Sequence, residues 1–321
     1  MKIVVTGVAG MIGSHLTELF LASGHEVIGI DDFSVGTQAN ISSCVEYANF
    51  NWLNSKLQDL TYQENFFNNV EVIVHLAAHK KIVESQMALP LFETNVAESE
   101  RIIKFCAGSG TKLVFASTSD VYGHGTSVPF SEQDDIRLGS SNAKRWAYAV
   151  SKLYVEQLIQ TYIKEKGLIA VIIRYFGGFS ERSNFSWSGG HVPIFIDAIR
   201  HEKSISVHGD GEQTRSIGHA DDLARGTQLA IESLDRVSGE IINIGNDEEI
   251  SINKSIEIIT RLMGREPNSA IINYIPEADI FGSYKDIRRR KPDLQKASKL
   301  LGYKPQISFE ETVQRVLRKI I

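Results

Sequence analysis

Short apolar runs of strand length alternate with segments of helical period through the first half of the chain, and no other feature constrains the fold as tightly. The runs lie near 2–6, 26–30, 70–77, 112–117 and 170–176, and the helical segments near 12–22, 95–107 and 146–165. Strand and helix in this order imply right-handed crossovers and a parallel sheet covered on both faces. The unbroken apolar character of "VEVIVHLAA" and "TKLVFAS" agrees, because central parallel strands are buried on both sides. The expectation is an α/β fold built on a Rossmann-type, doubly wound parallel sheet.

After residue 176 the pattern loosens into Gly- and Ser-rich loops, shorter strands ("SISVHG", "EIINIG") and helical stretches near 191–201, 219–234 and 251–263. Residues 1–176 are therefore expected to form the sheet domain. Residues 177–321 are expected to form mainly a smaller α/β lobe, with some interleaving and with the site in the cleft between them. A length of 321 residues with 42% hydrophobic content suffices for a large core. The net charge of -5 gives no basic footprint for nucleic acid, and the run Arg288 to Lys291 reads by itself as a solvated face. Two cysteines, Cys44 and Cys106, make neither a disulfide framework nor a zinc cage, and no metal site is expected. The apolar run Ile3-Val4-Val5 is too short for a signal segment or a membrane span, so no membrane partner and a cytoplasmic location are expected.

The first strand runs into Gly7-Val8-Ala9-Gly10-Met11-Ile12-Gly13, and a helix follows at once. Glycines at this junction permit a tight turn and close approach of backbone to a pyrophosphate, which the helix N-terminus favours. A second strand ends about 20 residues on at Asp31-Asp32, where a carboxylate can take ribose hydroxyls and disfavours an extra phosphate. The expected cofactor is NAD.

Tyr148 and Lys152 stand four apart in "YAVSK" and share one helix face. An ammonium beside a phenol favours the phenolate, so Tyr148 can serve as a base. Upstream, "STSDVYG" at 117–123 closes a buried strand with hydroxyls that can reach a substrate oxygen.

Together these segments resemble the extended short-chain dehydrogenase/reductase superfamily, in its NAD-dependent nucleotide-sugar epimerase and dehydratase branch. "RYF" at 174–176, "HGDGEQTR" at 208–215, "HADDLARG" at 219–226, "IINIGN" at 241–246 and "LLGYKP" at 300–305 extend the resemblance over nearly the whole chain. It implies Thr118, Tyr148 and Lys152 as the catalytic group. It also implies cofactor contacts from Asp59, Leu60, Leu76, Ala77 and Ala78 in addition to the glycine turn. Arg215 would pair with the substrate diphosphate. His75 reads as a buried structural histidine. A homodimer is expected from the helices around 95–107 and 146–165, through Ile102, Ile103, Phe105, Leu153, Val155, Leu158, Ile159 and Tyr162.

Members of this branch oxidise carbon 4 of the sugar and differ in the fate of the resulting ketone. Asp120 stands where dehydratases and decarboxylases carry glutamate, which marks it as a candidate acid or base. "RWAYAVSK" and "RRRKPD" resemble UDP-glucuronate decarboxylases and bring Arg145 and Arg290 toward the sugar, although Val192 replaces a further arginine. "HLAAHKK" resembles a UDP-N-acetylglucosamine 5,6-dehydratase and points to His79, Lys80 and Lys81. Ser119 is a further candidate contact, and Gly177 replaces an asparagine that touches substrate elsewhere in the family. The reading places a UDP-hexose 4-epimerase first, a 4,6- or 5,6-dehydratase second and an oxidative decarboxylase third. A non-catalytic cofactor-binding regulator is disfavoured by the retained Thr118, Tyr148 and Lys152.

Overall fold

The computed structural model describes residues 1–320 except 63–64, 81–88, 126, 144, 185–189 and 277–286. Among the described residues seven parallel strands make the central sheet: β1 (Lys2–Thr6), β2 (Glu26–Asp31), β3 (Phe50–Asn54), β4 (Val72–His75), β5 (Lys112–Thr118), β6 (Ala170–Tyr175) and β7 (Ile241–Ile244). Their order is β7-β6-β5-β4-β1-β2-β3. The direction of winding reverses between β1 and β4, and in such sheets the crevice at the carboxyl ends of the strands receives the ligand.

Helix α1 (Met11–Ala22) covers one face of the sheet, and α2 (Ser99–Ser109) and α3 (Trp146–Lys166) cover the other. Alternate residues of each strand feed the two cores. Ile3 and Val5 pack with Leu16 and Phe20 of α1, while Val4 packs with Ile102, Ile103, Val155 and Ile159 of α2 and α3. This burial removes Ile102, Ile103, Val155 and Ile159 from the residues expected to meet a partner subunit, because each is at most 1% exposed. The buried stripe of α3 also carries two charges, Lys152 and Glu156, a pattern that apolar packing alone does not explain.

Strand β7 comes from the segment grouped by sequence with the second lobe, yet Ile241 to Ile244 pair in register with Ile172 to Tyr175 of β6. Its Ile242 and Ile244 are fully buried in the sheet core. The second lobe has a core of its own, where the helices His191–Arg200, Ile252–Leu262 and Phe309–Ile320 bring together Phe195, Ile199, Ile256, Ile259, Phe309 and Val313. No described helix is long and apolar enough to cross a membrane.

His75 fits its structural reading. It lies at the end of β4 with 1% exposure, Nδ1 bonded to Thr6 (2.8 Å) and Nε2 to Ser99 (2.9 Å). Burial, helped by the charge of Lys152, lowers its pKa to about 3 and keeps it neutral. Cys44 and Cys106 are buried free thiols.

Candidate active site

A cavity of about 680 Å³ lies at the carboxyl ends of the strands. It runs from the glycine turn past the end of β5 and the start of α3 to the second lobe. Gly7, Gly10, Met11, Ile12 and Gly13 form one wall. At Gly13 a Cβ would lie 2.2 Å from the Gly7 carbonyl oxygen, so backbone packs on backbone and the turn stays open toward the cavity. Leu76 and Ala78 line the next stretch, whereas the Ala77 amide donates to the Thr6 hydroxyl (3.2 Å).

The aspartates at the end of β2 are engaged in shaping this turn. Asp31 accepts from the Ala9 amide (2.9 Å) and the Phe33 amide (2.8 Å), and Asp32 accepts from the Ser34 amide (2.9 Å). Burial raises the Asp31 pKa against the pull of those two amides. Neither aspartate is among the cavity-lining residues, where Val35, Gly36, Thr37 and Asn40 stand instead. Asp59 and Leu60 are also off the cavity. Leu60 is 5% exposed in the core beneath the sheet, and its carbonyl accepts from Arg101 (2.6 Å).

Thr118, at the end of β5, is 7% exposed and caps the short turn Ser119–Tyr122 through the Asp120 amide (3.2 Å). Thr118, Ser119, Asp120, Tyr148 and Lys152 all line the cavity. The Thr118 hydroxyl stands near the Tyr148 phenol and favours its ionised form. Burial pushes Tyr148 above the usual phenol range, with the negative charge of Asp120 adding to the rise. Lys152 is 1% exposed, and its Nζ has no hydrogen-bond partner among the described residues and lies 4.7 Å from the centre of the Phe115 ring. Burial lowers its pKa to about 7, opposed by Glu156 one turn along. Burial is thus the largest influence on the titration of both residues.

Asp120 is bracketed by two guanidiniums, Arg290 at 2.9 Å and Arg145 at 3.4 Å. Burial alone would raise its pKa, but Arg290, Lys80 and Arg145 together hold the carboxyl well below the usual carboxylate range. Arg290 and Arg215 are register partners on two short strands, Arg289–Arg290 and Thr214–Arg215, which places both at the second-lobe wall. Arg215 also donates to the carbonyls of Thr214 (2.8 Å) and Ile287 (2.9 Å). Arg145 approaches the site through Asp120 and lies near the Trp146 ring. Lys80 is exposed at the rim, and Lys81 lies outside the described residues. Gly177 lines the cavity, and a Cβ there would sit 2.9 Å from the Ser216 carbonyl, so the close strand pairing leaves no room for the family's asparagine.

Sequence reasoning missed Asn95. Fully buried in a turn of π-helix (Glu93–Glu98), it clamps His79 by accepting from its amide (2.7 Å) and donating to its carbonyl (3.0 Å), and donates to Ser151 on α3 (3.2 Å). His79 is thus held by its backbone and is not among the lining residues. No sequence signal set Asn95 apart, because Glu93, Thr94, Glu98, Ser99 and Glu100 make its surroundings equally polar. Glu181, Asn184 and His191 also line the cavity and carried no sequence signal.

The residues present fit NAD. A glycine turn at a helix N-terminus offers amide donors to a pyrophosphate, and the buried Lys152, which lines the cavity, has an amino group with no hydrogen-bond partner among the described residues. Residues 3–245 match the model of the NAD dependent epimerase/dehydratase family. A UDP-N-acetyl-alpha-D-glucosaminuronate decarboxylase of Bacillus cytotoxicus is 32% identical, over 99% of this chain and 97% of that protein. A UDP-glucuronate 4-epimerase of Thermodesulfobacterium geofontis is also 32% identical, over 98% of this chain and 94% of its own. The crystal structure of UDP-glucuronic acid 4-epimerase from Bacillus cereus, in complex with UDP-glucuronic acid and NAD, superposes with a TM-score of 0.88 at 29% identity and covers all of both chains. The chain therefore belongs to the NAD dependent epimerase/dehydratase family, within the extended short-chain dehydrogenases.

Proposed function

We propose that this protein is a UDP-hexose 4-epimerase, which oxidises carbon 4 of the sugar and restores it with either configuration. The observation that carries the reading is the meeting of Thr118, Tyr148 and the buried Lys152 on one cavity wall, beside a carboxylate that two arginines hold ionised. When bound, NAD supplies the two-electron acceptor for carbon 4. The amides of the Gly7 to Gly13 turn would hold its pyrophosphate, and Lys152 would donate to its ribose. Tyr148 takes the proton of the 4-hydroxyl as that carbon is oxidised and gives it back on reduction, while Thr118 holds the oxygen in line. Arg215 faces the substrate diphosphate.

Elimination of water would need a group that protonates the departing hydroxyl. Asp120 does not fit that role, because its clamped carboxyl carries no proton near neutral pH. Decarboxylation remains as a second reading, favoured by Arg290 and Lys80 at the sugar end of the cavity. A sugar carboxylate would meet them, and a β-keto acid loses carbon dioxide without an acid at the leaving group.

Chromatography that resolves 4-epimers, coupled to mass spectrometry, of UDP-glucose, UDP-N-acetylglucosamine and UDP-glucuronate, each incubated with the enzyme, tests these readings. An isomer of unchanged mass is expected. Loss of carbon dioxide would establish the second reading, and loss of water would overturn both. Asp120→Asn is expected to raise KM, because it strips the counter-charge from Arg145 and Arg290, and to leave the product an isomer.

The assembly we propose is a homodimer formed through α2, α3 and the short helix Leu89–Phe92. Leu89, Phe92, Val150 and Tyr154 expose apolar surface there, at 60%, 36%, 42% and 50%, and an apolar face of this kind is typical of a covered surface. Sedimentation should show a dimer at micromolar concentration and a monomer for the double variant Val150→Glu with Tyr154→Glu. A wild-type monomer would refute the assembly.

A further inference from the structure

Tyr148, Lys152 and Glu156 occur at intervals of four on α3 and so form one row along the helix. The first two face the cavity, whereas Glu156 is fully buried behind them. Its carboxylate accepts from the Ser117 hydroxyl and, in bidentate fashion, from Arg174 through Nε (3.0 Å) and a terminal nitrogen (2.7 Å). Ser117 and Arg174 are register partners on β5 and β6. One carboxylate thus joins three elements at the point where β5 delivers Thr118, the residue after Ser117. Arg174 is itself fixed, with its guanidinium 4.7 Å from the centre of the Tyr122 ring, and the Tyr122 hydroxyl donates to Asn243 (2.7 Å).

Stability is a weak reason for such an arrangement. Taking two charges out of water is costly, and well-packed apolar residues in their place are often as stable. What a bidentate pair adds is direction. Apolar packing tolerates small sliding of a helix over a sheet, whereas fixed hydrogen bonds do not.

We infer that Glu156, clamped by Ser117 and Arg174, is a positioning residue that sets the spacing between Thr118 and the Tyr148–Lys152 row, an inference that rests on the catalytic reading of that row. Glu156 also places a negative charge one turn from Lys152, which opposes the loss of the lysine's proton on burial. The two effects, spacing and charge, separate experimentally.

Ser117→Ala removes one hydrogen bond and leaves the ion pair intact, so the protein should fold. Its kcat is expected to fall by about tenfold to a hundredfold with KM little changed, the scale set by a misplacement of about 1 Å at the reacting centre. Its crystal structure should show Thr118 and Tyr148 drawn apart. Glu156→Gln keeps an acceptor for Ser117 but loses the charge. The ammonium of Lys152 is then less favoured, and the alkaline limb of the kcat profile should move to lower pH. A purely structural pair predicts instead a lower melting temperature for both variants, with kcat unchanged, the pH limb unmoved and the Thr118–Tyr148 contact kept in the Ser117→Ala crystal, and that result overturns the inference. If Glu156→Gln does not fold, kcat and the crystal structure of Ser117→Ala decide alone. Wild-type turnover by Tyr148→Phe is a separate outcome, since it would remove the catalytic reading itself.

Discussion

Tyr148→Phe should lower turnover of a UDP-hexose by about 10² to 10⁴, the usual worth of a positioned proton acceptor. Tyr148 lines the cavity and the substitution removes only its hydroxyl, so the variant should fold and should bind cofactor and nucleotide as before. The loss belongs in kcat, because the lost interaction forms as the 4-hydroxyl gives up its proton. Burial and the negative charge of Asp120 hold Tyr148 above the ordinary phenol range. Stopped-flow absorbance of the reduced nicotinamide, read beside product formation, checks the point. Turnover within tenfold of the wild type would remove Tyr148 from the proton-transfer step.

Gly13→Ala should abolish retention of NAD through the purification and destabilise the fold by about 1–3 kcal/mol, the range for overpacking. The added methyl would lie 2.2 Å from the Gly7 oxygen and 3.0 Å from both the Gly7 carbon and the Val8 Cα. All three are backbone atoms and cannot rotate away. Either the turn opens or α1 shifts, and both movements disturb the amides that face the pyrophosphate. Gly108→Ala is the control, because a Cβ there meets nothing within 4 Å and the residue lies in the last turn of α2. Nicotinamide content after purification and thermal melts of the two variants test this. Full NAD content in Gly13→Ala would show that the turn does not hold the cofactor.

How much of the molecule could be read from its sequence depended on how local each determinant was. Strands β1, β4, β5 and β6 were legible because burial on both faces leaves unbroken apolar runs. The edge strand β3 was not, since "FNWLN" is half exposed and mixes polar with apolar residues. Strand β7 could be seen as a strand, but its place in the main sheet follows from pairing with β6, which spacing does not encode. The same division holds at the site. Thr118, Tyr148 and Lys152 sit within short motifs whose geometry is fixed by one strand end and one helix turn. The bracket of Arg145, Asp120 and Arg290 spans 170 positions between its last two members, and the sequence marked each residue without showing that they neutralise one another. Asp31 was marked for a ribose, and its oxygens also accept from the amides of Ala9 and Phe33, a role the sequence did not show. Leu60 was placed on the cofactor by family likeness, although its side chain belongs to the core.

The alternation of faces along β5 limits where this chain can change length. Phe115 and Ser117 look toward α3, while Val114 and Ala116 look toward the opposite core. One extra residue inside β5 would exchange those two sets, sending Ser117 away from Glu156 and burying the wrong groups on each side. The same extra residue at Ser140 to Asn142, which are exposed and lie outside every described strand and helix, leaves the alternation untouched. Loop grafting or circular permutation at that surface point is therefore compatible with an intact site, whereas the buried strand upstream of it admits only substitution.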